Sequence, residues 1–106
     1  MQCWQSATKA DHRLWFVIKI IFRNHPELLD FLFEKDEPRI RLEPLELRKQ
    51  ALCFSSGEEL LVRVALDVWS GSGNAKIWQL IETLDCDNLS NVLEALSFLN
   101  CRERDN

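Results

Sequence analysis

Between Ile77 and Leu99, large apolar residues recur every three or four positions. Ile77, Leu80, Ile81 and Leu84 form one set, and Leu89, Val92, Leu93, Leu96 and Leu99 form the next, separated by "DCDN" at 85–88. An α-helix turns once in 3.6 residues, so this spacing gathers each set on one face; a strand, which alternates at every second residue, would scatter it. Both segments are predicted as amphipathic helices with these stripes turned to a core. Phe98 then points nearly opposite its stripe, and Trp78 lies on the flank of its own.

The rest of the chain supports a helical reading. Leu14 to Phe22 is apolar except for Lys19, and His12, Lys19 and Arg23 fall along one narrow stripe. That describes a helix buried on nearly all sides, capped at Asp11 and running to about Asn24. A run of this length also suits a strand. The following "NHPELLDFLFEK" favours helix: Pro26 fits a first helical position, Glu27 its first turn, and Leu28, Phe31 and Leu32 share a face. A second central helix is read in "GEELLVRVALDVW", with Ser56 as its cap and Glu59, Arg63 and Asp67 as a salt-bridged polar stripe.

The break between them is "EKDEPRIRLEPLEL". Pro38 and Pro44 push Glu37 and Glu43 out of helical geometry. Arg39-Ile40-Arg41-Leu42 alternates as a short strand would, but residues 35–43 are read as an extended connector. Pro44 opens a further helix, with Leu45 and Leu52 on one face and Leu47, Ala51 and Phe54 away from it.

The expected fold class is therefore all-α. Residues 1–106 form a single compact domain of five or six short helices, and the last three resemble in order and spacing a tri-helical helix-turn-helix unit. Residues 1–9 and 101–106 are expected to be flexible ends. A chain of 106 residues buries roughly 60–68% of its unfolded surface, enough to fold without metals or disulfides. Cys3, Cys53, Cys86 and Cys101 are widely and irregularly spaced. The apolar run near the amino end is interrupted by Lys19, lacks a small-residue cleavage site and is too short to span a bilayer. A cytoplasmic protein with free thiols is expected, with Cys53 and Cys86 as small buried hydrophobes.

For chemistry, "WSGSGNAKIWQL" at 69–80 is the first candidate. A phosphate-binding loop needs G-x-x-x-x-G-K-[ST] between a strand and a helix; here the glycine spacing is wrong, Ile77 follows Lys76, and the preceding segment is helical. A dinucleotide fingerprint fails for want of a third glycine and a strand. The stretch reads as a connector in which Gly71 or Gly73 ends one helix in the left-handed conformation and Asn74 caps the next. "DCDNLS" starts like a calcium loop, but Leu89, Ser90 and Leu96 stand where ligands or glycine are required; Asp87 or Asn88 is expected to cap the last helix instead. His12, His25 and four scattered cysteines give no zinc spacing and no nucleophile beside a base. No cofactor, metal site or catalytic residue is expected.

Two functional readings follow. The leading one is a small cytoplasmic interaction module acting by self-association or as an adaptor or inhibitor. Its candidate interface residues are Trp78 and Phe98, backed by Phe54 and Trp4, aromatics that lie off the main stripes. Its partner is another protein or a second copy, with no membrane. The alternative is a helix-turn-helix-like DNA binder using Arg39, Arg41, Arg48 and Lys49. Charge weighs against it: residues 1–50 carry nine basic and eight acidic side chains, and residues 51–106 carry four and nine. An acidic second half repels phosphate, which supplies most of the affinity for DNA.

Overall fold

The boundaries of the helices follow from local chemistry. The computed structural model describes residues 9–35 and 37–104, and the side chains of residues 11–35 and 37–99. Among the described residues there are six helices and no strand: α1 (Lys9–Ile21), α2 (Pro26–Leu32), α3 (Pro44–Ala51), α4 (Ser56–Ser70), α5 (Ile77–Thr83) and α6 (Cys86–Arg104). Pro26 and Pro44 each occupy the start of a helix, where their missing N–H is not needed. Asp11 does not cap α1, which begins at Lys9; its carboxylate lies in the first turn, near the positive end of the helix dipole.

The cap of α4 is Ser55 rather than Ser56. Ser55 Oγ accepts the Glu58 N–H at 3.3 Å, and Glu58 Oε1 accepts the Ser55 N–H at 3.3 Å. Two otherwise orphaned donors are satisfied reciprocally, which only the Ser55–Glu58 spacing allows. At α6 the cap is Asp85, whose Oδ1 accepts the Asn88 N–H at 2.9 Å; Asp87 and Asn88 are themselves inside the helix. α6 also continues through Arg104 instead of giving way to a flexible tail at 101, because Arg and Glu are good helix formers.

α4 is the hub, touching α1, α2, α3 and α5. Leu60, Leu61, Val62, Val64, Ala65 and Leu66 are all buried, as a helix apolar on most sides requires. α1 is the second central element: Val17, Ile18, Ile20 and Ile21 are buried, and Lys19 lies over the Trp15 ring at 4.1 Å. Phe16, on the other hand, is half-exposed and meets Phe98 edge-on, 5.8 Å between centroids.

α6 lies along α1. Arg23, just past the end of α1, donates to Asn91 Oδ1 at 3.2 Å and to Glu94 Oε2 at 3.1 Å. Its main packing is with α1, whereas α4 and α5 pack on each other; the last three helices do not close into a tri-helical unit. That partner also sets the rotation of α6. Asn91, Val92 and Ala95 are buried, and Leu93 and Leu96 are left exposed although they belong to the apolar stripe.

α3 turns its other face inward from the one its leucines suggest. Leu47 and Ala51 are fully buried, while Leu45 and Leu52 are 63% and 72% exposed. Phe54 is half-buried, its ring edge-on to Phe31 at 5.0 Å, and Phe33 meets Trp69 in the same way at 5.2 Å. The face is the one α3 packs on α4, with Phe54 anchoring the turn that follows it. The connector doubles back instead of extending away. Phe33 and Ile40 form a single antiparallel bridge, with Glu34 N–H to Arg39 O and Arg41 N–H to Leu32 O, both 2.8 Å.

Cys53 and Cys86 are free thiols, and both are exposed rather than buried: the one sits in the turn after α3, the other at the first position of α6. Among the described residues, no helix is long and apolar enough to cross a membrane. The extents are 38 × 34 × 21 Å. The assignment of the α3 faces is testable by urea denaturation. Leu47→Ala is expected to destabilise by about 2–5 kcal/mol, and Leu52→Ala to stay within about 0.5 kcal/mol of the parent.

Candidate functional site

The segment after α4 is held by side chains of α4 itself. Gly71 ends the helix with φ 71°, the left-handed conformation glycine adopts without strain, and its N–H returns to Asp67 O at 2.9 Å. The chain then runs back along α4. The Asp67 carboxylate accepts three successive amides: Gly73 and Asn74 on Oδ1 at 2.8 and 3.0 Å, Ala75 on Oδ2 at 2.8 Å. Arg63, one turn earlier, donates from Nε to Gly73 O at 3.2 Å and from Nη2 to Asn74 O at 2.6 Å.

Together the two side chains bind both the donors and the acceptors of the loop. Arg63 also lies 3.7 Å from Glu59. The polar stripe Glu59, Arg63, Asp67 exists, but its last two members face a loop rather than water. Gly73 is pressed so close that a Cβ there would fall 1.7 Å from the Arg63 carbonyl oxygen. Only glycine fits that approach. Asn74 takes a positive φ of 56° within the loop and does not cap the next helix. That task falls to Gln79, whose Oε1 accepts the Lys76 N–H at 3.0 Å and a further bond from Arg63 at 3.3 Å.

The clamp positions α5, a seven-residue helix with no buried residue within it. Leu80 is half-buried against the core and Leu84, just beyond the helix, is buried. On the other side Ile77, Trp78 and Ile81 are 77%, 58% and 66% exposed. Ile81 lies one turn from both Ile77 (i,i+4) and Trp78 (i,i+3), so the three form one apolar ridge. Beside the ridge, where α5 and α6 fail to close on each other, lies an open cleft of about 370 Å³. Its floor is Val64, Val68 and Val92, and its walls are Ile77 and Leu80 from α5 and Leu96 and Leu99 from α6.

Of the residues singled out from the sequence, Trp78 stands on the ridge. Phe98 is half-exposed on the α1 flank of α6, against Phe16. Phe54 lies between α3 and α4 against Phe31, away from both. Trp4 is outside the described residues. Among the basic candidates, Arg39 pairs with Glu37 at 3.0 Å, Arg41 donates to Phe31 O at 2.8 Å and Arg48 to Ser72 O at 3.4 Å. Lys49 is exposed on α3. The sequence pattern missed Ile77, Ile81, Leu93 and Leu96 as surface residues, because their spacing matches that of a core stripe. It missed Asp67 as the anchor, although an acid followed by "SGSGN" hints at amides in need of an acceptor.

No protein-family model, curated protein or solved structure matches the chain.

Three substitutions separate the clamp from ordinary backbone effects. Gly73→Ala is expected to destabilise by about 3 kcal/mol in urea denaturation. Gly57→Ala, in α4 with open space around its Cβ position, is expected to stabilise by up to about 1 kcal/mol. Asp67→Ala is expected to strip the Gly73, Asn74 and Ala75 amides of hydrogen-exchange protection while leaving that of α1 in place.

Proposed function

We propose that the chain is a small interaction module that works by protein contact at the α5 ridge and the cleft beside it, and that the first occupant is a second copy. The observation that carries this is the ridge itself. Three large apolar side chains stand in water on a helix whose position the Arg63–Asp67 clamp has already fixed. Full burial of such a side chain is worth about 1.5–3 kcal/mol, and a rigid surface loses little entropy on docking. Tryptophan is prominent among residues that dominate binding energy.

The ridge and the cleft are neighbours on one chain, so two copies related by a two-fold axis place each ridge in the other's cleft. We assign no catalysis to the site. The cleft is apolar, and the Asp67 carboxylate at its edge already accepts three amides. The compartment we favour is the cytoplasm, where exposed Cys53 and Cys86 stay reduced.

Light scattering over a wide concentration range tests this. The expected result is a concentration-dependent dimer whose dissociation constant rises at least about tenfold in Trp78→Ala and in Ile81→Ala. Stability of the monomer should change by no more than about 0.5 kcal/mol, since both side chains are exposed. A monomer at every concentration rejects the second copy as occupant. A dimer indifferent to both substitutions rejects the ridge.

A further inference from the structure

At the opposite end of α4, the starts of α2, α4 and α6 converge on a pocket of about 250 Å³ lined in part by His25, Ser55, Glu58, Asp85 and Asn88, with Glu27 beside His25 just outside it. We propose that His25, Glu27 and Glu58 bind a divalent transition-metal ion of the zinc type. Each of the three offers a ligand atom, and these atoms lie within 4.8 Å of one another. His25 Nδ1 and Glu27 Oε2 are already 3.5 Å apart. Metal–ligand bonds of about 2.0–2.2 Å place neighbouring ligand atoms roughly 3–4 Å apart, so binding requires only a small closure. Glu27 is free to make it: its side chain is 63% exposed at the start of α2.

The donor set chooses the metal. One imidazole nitrogen with two carboxylates suits zinc and its neighbours, whereas calcium and magnesium prefer oxygen alone. A second observation in the same pocket points to an occupant. The side-chain oxygen of Asn88 is buried and accepts no hydrogen bond. Three protein ligands leave a tetrahedral ion one position for water, and a metal-bound water is a strong donor for such an oxygen. Glu58 keeps its cap meanwhile, since Oε1 accepts from Ser55 and a carboxylate has a second oxygen to offer. The ion would tie the start of α2 to that of α4. Sequence spacing hides the site because Glu58 arrives from a different helix.

The test is calorimetric titration of the metal-stripped full chain with zinc chloride, with magnesium chloride as control, repeated in a variant with all four cysteines changed to serine. The expected result is one zinc per chain in both proteins, a melting temperature raised by zinc and not by magnesium, and affinity reduced at least about tenfold by His25→Ala and by Glu58→Gln. Glu58→Gln retains an oxygen for the Ser55 cap, so its unliganded melting temperature should stay close to the parent's. The proposal is overturned by the absence of saturable heat at millimolar zinc. It is equally overturned by binding that vanishes in the cysteine-free variant, or that survives both substitutions.

Discussion

One carboxylate organises the carboxyl-terminal half of this protein. Asp67 takes three consecutive amides of the glycine loop, and Arg63 takes two of its carbonyls. A helix of seven residues is too short to persist alone in water. α5 exists because the loop before it is fastened to α4 and because Leu80 and Leu84 reach the core. Charge-assisted hydrogen bonds are the strong ones, and five of them act here across a few ångströms. Gly73 lets the loop come close enough for all of them to form at once.

The second constraint is the number of neighbours. Among the six helices of the described residues, one that does not sit between others keeps one side in water. α4 and α1 have neighbours on most sides and bury most of their apolar residues, Phe16 apart; α5 and α6 are bordered on fewer. α6 spends its best face on α1, where Arg23 meets Asn91 and Glu94, and so cannot also cover α5. The exposed Ile77, Trp78 and Ile81, and the cleft beside them, are what remains of an unmade helix–helix contact.

Much of the fold was legible from the sequence. The two apolar-all-round segments are the two central helices, the prolines open α2 and α3, and the glycine stretch is a connector with Gly71 left-handed. What could not be read was the rotation of each helix about its own axis. Leu45 and Leu52 make as good a stripe as Leu47 and Ala51, and only the packing of α3 on α4 decides between them. In α6 the stripe through Leu93 and Leu96 lost to one through Asn91 and Ala95, because a buried Asn bonded to Arg23 set the rotation, and periodicity counts only apolar residues. Trp78 was legible as a surface residue by its offset from the stripe. Its neighbours Ile77 and Ile81 were not, because a seven-residue helix with an open flank offers the same pattern as one that is covered. Caps erred by a residue or two wherever several Ser, Asp or Asn stood together, as at Ser55–Ser56 and Asp85–Asn88.

α5 contributes no buried residue of its own, and this has a kinetic consequence. Its link to the remainder is a polar clamp and two leucines, while α1, α4 and α6 share a continuous apolar interior. The segment from Gly71 to Leu84 can therefore open and close as a unit without disturbing that interior, at far less than the free energy of global unfolding. In the ground state the clamp holds one placement, and opening is an excursion from it. Whatever settles on the closed form draws the equilibrium further towards it by mass action, so occupancy of the ridge and order in the glycine loop are thermodynamically linked.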